Sequence, residues 1–262
     1  MDMWKYYDIT HREHIICNPT SGEKLAHLVE QLRLPAGARV IDIACGKGEF
    51  LIRLAEAYDV NCLGIDLSPF YIAEARKRLE MRAPKAEVIF KEMDAAQFEP
   101  KEPHSFTVAS CLGASWIYGG HAGTLDALTY LVSSGGWVIT GEPYWLGEPC
   151  EEYLKVLGLP KEAFGTHIGN VEAGEKRRLD LVHTIVSNND DWDRYEGLQW
   201  FASVEYARSH ADDPDLPEIM RRVGEEKTAY FRWGRDTLGW AIYVFRCQPT
   251  EPLGSGLTTA CS

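Results

Sequence analysis

The chain has 262 residues, 45% hydrophobic and 25% charged, enough for one large α/β domain with a buried core and without an apolar run of the roughly 18–20 residues that a membrane helix needs. Its 27 Lys and Arg stand against 39 Asp and Glu, a formal charge of −12, which repels polyanions and argues against a nucleic-acid partner. Seven scattered cysteines with no C-x-x-C pair speak against a disulfide framework or a metal cluster, and the start Met1-Asp2-Met3-Trp4-Lys5 lacks a secretory pattern, so cytoplasm is the expected location.

Residues 1–19 carry Trp4, Tyr6, Tyr7, His11 and His14 without clean periodicity. They are expected to form a short N-terminal segment, either a lid over a ligand or a docked cap. Pro19-Thr20-Ser21 opens a helix whose Leu25, Leu28, Val29 and Leu32 recur at helical spacing, and Pro35-Ala36-Gly37 ends it. Arg39 to Ile43 is a compact β-branched run, the pattern of a strand buried on both faces. A glycine-containing turn and a helix from Glu49 to Ala57 follow. Cys62 to Asp66 reads as a second strand, and Ser68 caps a helix through Arg82. Strands at Glu87–Lys91 and Phe106–Ser110, a helix from about Thr124 to Val132 and a strand at Trp137–Gly141 complete five βα units. That alternation predicts a doubly wound, mostly parallel sheet.

Beyond Pro149 the rhythm changes. A helix near 150–157 and a Gly-rich loop precede a strand at Leu179–Val186, and two helices, about 193–210 and 215–233, precede the last strand, Gly239–Cys247. These helices read as an insertion covering the sheet's carboxyl edge. The expected organisation is therefore a segment at 1–19, one domain at 20–247 with its insertion at about 193–233, and a disordered Pro-, Gly-, Ser- and Thr-rich tail at 248–262.

The most informative segment is Val40-Ile41-Asp42-Ile43-Ala44-Cys45-Gly46-Lys47-Gly48. A buried strand running through a small-residue turn into a helix lets a ligand approach the backbone. Asp42 at the strand end suits an amino or sulfonium group, and Asp66 at the end of the next strand suits two ribose hydroxyls. Asp94, between Met93 and Ala95, can accept from an adenine amino group beside an apolar face. Two glycines alone mark only a tight turn, but acid–turn–helix and strand–acid–helix in this order point to a nucleoside site. Because Gly48 is followed by Glu49-Phe50-Leu51, the spacing G-x-G-x-x-G is missing, which counts against a nicotinamide dinucleotide.

These residues resemble the class I methyltransferases that use S-adenosyl-L-methionine. Asp42 to Gly48 looks like their motif I, Ile65-Asp66-Leu67-Ser68 like their motif II, and Met93-Asp94-Ala95 like their adenine-contacting segment. His14, Asn18-Pro19, the run Gly113–Gly120, Gly141–Trp145 and Trp192–Glu196 are similar to a bacterial branch of small-molecule methyltransferases. The resemblance implies a seven-stranded sheet with an antiparallel last strand. It also implies a donor held by Asp42, Ala44, Cys45, Gly46, Asp66, Leu67, Met93, Asp94 and Ala95, with Cys111 packed beneath it. Ala44 replaces the first motif glycine, so the backbone is expected to avoid a strongly positive φ there.

Methyl transfer from a sulfonium demands alignment and exclusion of water, with neither a covalent nucleophile nor a metal obligatory. The acceptor is expected at the ends of the fourth and fifth strands. Glu142 there is the candidate base, though it can equally hold an amine or pair with Arg194. His121 is a second catalytic candidate. Trp116, Tyr118, Tyr144 and Trp145 are candidate substrate contacts, with core packing the competing role for these aromatics. The aromatics between Trp192 and Trp233 are read chiefly as glue between inserted helices and sheet. A non-catalytic S-adenosylmethionine sensor is the alternative, and oligomeric state is not legible in the chain.

Overall fold

A computed structural model describes residues 2–249. Its sheet is built from β1 (Ala38–Ile43), β2 (Val60–Asp66), β3 (Glu87–Glu92), β4 (Phe106–Leu112), β5 (Val132–Trp145), β6 (Gly165–Thr166), β7 (Leu179–Val186) and β8 (Leu238–Cys247). Seven strands run in the order β3-β2-β1-β4-β5-β8-β7, and the two-residue β6 pairs with the end of β5. β8 is antiparallel to both β5 and β7, while β1 to β5 pair in parallel. The expected mixed sheet and its antiparallel last strand are both present.

The two faces of the sheet bury different helices. α2 (Gly22–Leu32), α3 (Glu49–Ala57) and α4 (Pro69–Arg82) place Leu25, Leu28, Leu51, Leu54 and Ile72 against Val40, Val108, Ile139 and Val244. α5 (His121–Leu131) covers the other face with Leu125, Leu128 and Leu131 against Ile41, Ala109, Val138 and Tyr243. Local chemistry sets the helix starts. The Ser21 hydroxyl accepts from Lys24 N (3.2 Å), and Ser68, followed by Pro69 at the first helical position, accepts from Tyr71 N (3.3 Å).

Three segments differ from expectation. Residues 3–10 form a helix, α1 (Met3–Thr10), capped by Asp2 and too short to show a period; its Tyr6 and Ile9 bury against Ile219 and Val223. The expected Gly-rich loop is largely helical, α7 (His167–Glu175), capped by Thr166. Gly174 is required there, because a β-carbon would lie 2.3 Å from Phe245. β5 also runs on to Trp145, because β8 stays paired with it as far as Leu238.

After the short α6 (Glu151–Leu157), the insertion comprises α8 (Asn189–Ser209), started by a capping box between Asn188 and Asp191, and α9 (Leu216–Ala229), which continues into a π-helical turn at Tyr230–Gly234. Of the expected tail, Gln248 donates to Arg178 O (3.1 Å) and to Asp180 (2.7 Å); residues 250–262 lie outside the described residues.

Candidate active site

In this strand order β1 neighbours both β2 and β4, so the chain reverses its winding there and a crevice opens beyond the strand ends. A cavity of about 540 Å³ occupies that place. Its floor is the β1–α3 turn, where Ala44, Gly46 and Gly48 have φ of 54°, 54° and 72°. The expectation for Ala44 is thus overturned. The turn alternates left-handed residues, and its backbone is pinned by Cys45 N to Ile65 O (2.9 Å) and Gly48 N to Cys45 O (3.0 Å), which hold an alanine where glycine costs less.

Asp66 faces this turn, with one carboxylate oxygen accepting from Gly46 N and the other from Ser68 N, each at 2.8 Å. Burial raises its pKa against these bonds. Asp42 accepts from the Ser110 hydroxyl at 2.7 Å, and burial pushes its carboxyl up to about 7. Asp94 accepts from Ala96 N (2.9 Å). Asp42, Ala44, Cys45, Gly46, Asp66, Leu67, Asp94 and Ala95 all line the cavity. Four carboxylates line the cavity; Glu49 is paired with Arg53, Arg78 and Arg82, and the other three can meet a ligand with a cationic group, a diol and an amino-bearing ring. Met93 and Cys111 do not line it; Met93 packs against the core on the α5 face, and Cys111 is fully buried within that core.

The remaining expected residues fall into a separate cluster. Glu142 and His121 do meet: His121 Nε2 donates to Asn170 O (3.1 Å), which turns Nδ1 to 3.4 Å from a Glu142 oxygen, and the other oxygen accepts from the Ser115 hydroxyl (2.9 Å). Neither lines the cavity. Side chains alternate along β5, so Glu142 shares the α5 face with Val138 and Tyr144, whereas Asp42 shares the opposite face with Val40. Arg194, the other partner considered for Glu142, instead donates to Thr20 O (2.8 Å). Tyr118 packs beside Ala95, Tyr144 packs on His167 with ring centres 4.7 Å apart, and Trp145 donates to Lys161 O at 2.8 Å. Of the four aromatic candidates Trp116 lines the cavity, 73% exposed at its mouth.

The rest of the lining includes residues that strand-end reasoning misses: Trp4, Tyr7, His11 and Cys17 of the N-terminal segment, Tyr71 of α4 and Tyr195 of α8. The segment is held by the turn itself. Lys47 Nζ donates to His11 O (2.8 Å) and Arg12 O (2.9 Å), and Asn18 donates to Leu112 O (3.2 Å). On the far side His14 donates to Tyr195 O at 2.8 Å, and Lys5 bridges Asp213 and Asp215. The signal available in the sequence was the density of aromatics and histidines before residue 19. Tyr195 carried none, being one aromatic among many in the insertion.

A family model described as "Methyltransferase domain" matches residues 40–136. The uncharacterized protein YjhP of Escherichia coli is 32% identical over 93% of this chain and 98% of its own. A methyltransferase from Geobacter sulfurreducens, solved in complex with S-adenosyl-L-homocysteine, superposes with a TM-score of 0.87 at 31% identity, over 94% of this chain and 98% of that one. Trans-aconitate 2-methyltransferase of Methylobacterium nodulans is 33% identical over 52% of this chain and 50% of its own.

Proposed function

The chain belongs to the class I S-adenosylmethionine-dependent methyltransferases, and from that premise we propose that it methylates a small-molecule acceptor held between the donor and the N-terminal segment. The observation that carries this reading is the convergence of Asp42, Asp66 and Asp94 on one cavity floored by the Ala44–Gly48 turn. When bound, S-adenosylmethionine supplies a methyl group already activated on a sulfonium.

The chain's own residues do the rest. Asp66 gives up its bonds to the turn in part and accepts the ribose hydroxyls. Asp42 faces the donor's cationic end, and Asp94 with Ala95 and Leu67 receives the adenine; Ala44, Cys45 and Gly46 present backbone, with Met93 and Cys111 packed behind. Residues 2–19 close the site from above as a lid on the domain that begins at residue 20. Trp116 meets the acceptor. Glu142 and His121 act on the acceptor side by fixing Ser115 and thereby the loop that carries Trp116, and Tyr118, Tyr144 and Trp145 support the same end from within the core.

A net charge of −12 supports a small acceptor over a nucleic acid, and a relative named for trans-aconitate supports it too. The described residues contain no helix long and apolar enough to cross a membrane. The test is calorimetry with S-adenosylhomocysteine on the wild type and on Asp66→Ala, followed by labelled-methyl transfer to metabolite fractions. Binding lost in the folded variant, with label moving into a small molecule, is the expected result. Binding without turnover on any fraction would instead identify a sensor.

A further inference from the structure

The cavity is aromatic as well as acidic, with one polar pair set into its wall. Trp4, Tyr7, Tyr71 and Trp116 form its walls, and Ile15 and Leu67 at the rim are 54% and 50% exposed. Lys47 is the one cation among the described lining residues, and its ammonium is spent on the carbonyls of His11 and Arg12. The acids Asp42, Asp66 and Asp94 stand nearby, while the fourth, Glu49, is already paired with Arg53, Arg78 and Arg82. A chamber of this kind repels carboxylates and phosphates and suits a planar molecule without negative charge.

The polar pair is His11 and Tyr195, and its hydrogen bonds fix the direction of each proton. The Thr10 hydroxyl donates its single proton to Tyr6 O (3.0 Å), so its contact with His11 Nδ1 (2.9 Å) requires Nδ1–H to be the donor. In the neutral ring Nε2 then carries the lone pair, and it accepts the Tyr195 hydroxyl at 3.0 Å. His14 grips the Tyr195 carbonyl from the same side. The Tyr195 oxygen is left with lone pairs at the cavity wall. Burial pushes His11 down to about 3 and Tyr195 well above the usual phenol range, so both stay neutral through the physiological range.

We propose that Tyr195, backed by His11, accepts a hydrogen bond from the acceptor's hydroxyl and aims its oxygen at the methyl group, and that the acceptor is a planar molecule without negative charge presenting a hydroxyl to that pair. The proposal rests on the reading of this cavity as the methyl-transfer site. The acceptor oxygen bonds to the methyl carbon, and the electron pair of the carbon–sulfur bond leaves with sulfur. The acceptor's proton, hydrogen-bonded to Tyr195 Oη, leaves to water as the carbon–oxygen bond forms, and Tyr195 and His11 keep their own protons. The positive charge that leaves sulfur departs with that proton, and the pair is neutral before and after the transfer.

The test uses the full chain with three readouts. Calorimetry first measures S-adenosylhomocysteine; failure to bind overturns the functional reading and this proposal together. With the product bound, 2-naphthol is then compared with 2-naphthoic acid and citrate. Binding of the naphthol alone is expected, and equal or better binding of either carboxylate overturns the acceptor class while leaving methyl transfer standing. Nitrogen NMR of histidine-labelled protein is expected to show His11 in its Nδ1–H form, with an Nε2 signal that moves in Tyr195→Phe. Tyr195→Phe should lower kcat by about tenfold or more, in the range of a lost aligning contact, while S-adenosylhomocysteine affinity holds within about twofold. A variant that keeps its turnover, or an Nε2 signal indifferent to Tyr195, overturns the assignment of the pair.

Discussion

At the scale of single residues, the β1–α3 turn separates two kinds of small side chain. Ala44 sits at φ 54°, where an L-residue pays for its β-carbon by roughly 1–2 kcal/mol, but its methyl causes no clash that stops the turn forming. Ala44→Gly should therefore leave stability unchanged or raise it by up to about 1 kcal/mol, the relief being offset by the greater freedom of glycine in the unfolded chain. Gly48 is different: at φ 72° a β-carbon would lie 2.4 Å from Phe90 Cζ. Gly48→Ala should cost about 1–3 kcal/mol or more in urea unfolding, since both the backbone and the packing resist it. Asp66→Ala removes the acceptor for Gly46 N as well as for the ribose, and donor affinity should fall by at least tenfold, about 1.4 kcal/mol. An Ala44→Gly chain less stable than the wild type would show that the turn is held by something other than its alternating left-handed residues.

At the scale of elements, what could be read from the sequence and what could not divide along physical lines. β1, β2, α2 and α4 were legible because their burial is periodic and their caps are local: Leu25, Leu28 and Leu32 repeat at helical spacing, and Ser21 and Ser68 bond within three residues. That Asp42 and Asp66 would line one cavity was legible for the same reason, since both are fixed by strand ends. α1 was not, because eight residues hold two turns and its buried Tyr6 and Ile9 find their partners in α9, more than two hundred residues away. Glu142 was misplaced relative to the cavity because strand-end position says nothing about which face a side chain takes, and a shift by one residue reverses it. The element that most needs testing is the N-terminal segment. Lys47→Met keeps the volume but removes the ammonium from the Arg12 carbonyl and leaves the His11 carbonyl with His14 N, at about 1–3 kcal/mol. Hydrogen exchange across residues 2–14 should then rise at least tenfold while α2 and α3 keep their protection. In the wild type, S-adenosylhomocysteine should slow exchange in the same segment, as a lid requires. Equal protection with and without ligand would leave a docked cap.

At the scale of the whole molecule, burying these groups makes stability depend on pH in a definite direction. Burial pushes Asp42 to about 7, and burial together with Glu226 pushes Glu196 to about 8. In the unfolded chain both ionise near 4, so between roughly pH 4 and 8 the folded state holds protons that the unfolded state has released, and stability falls as pH rises. The buried His11 and His14, lowered to about 3 and about 4, act in the opposite sense: the unfolded chain takes up protons below about 6.5 and the folded chain does not, so stability falls as pH drops. The two slopes oppose one another between about pH 4 and 6.5, and above 6.5 only the carboxyls remain. Calorimetric melting of the donor-free chain should therefore decline from pH 6.5 to 8, less steeply in Asp42→Asn. A cationic donor beside Asp42 lowers its pKa again, so binding should release a proton near pH 7 and affinity should rise severalfold between pH 6 and 8. Titrations of S-adenosylmethionine in two buffers of different ionisation enthalpy count that proton directly. An affinity flat across this range, with no proton released, would mean that Asp42 does not face the cationic end of the donor, and the orientation assigned to the ligand in this cavity would have to be reversed.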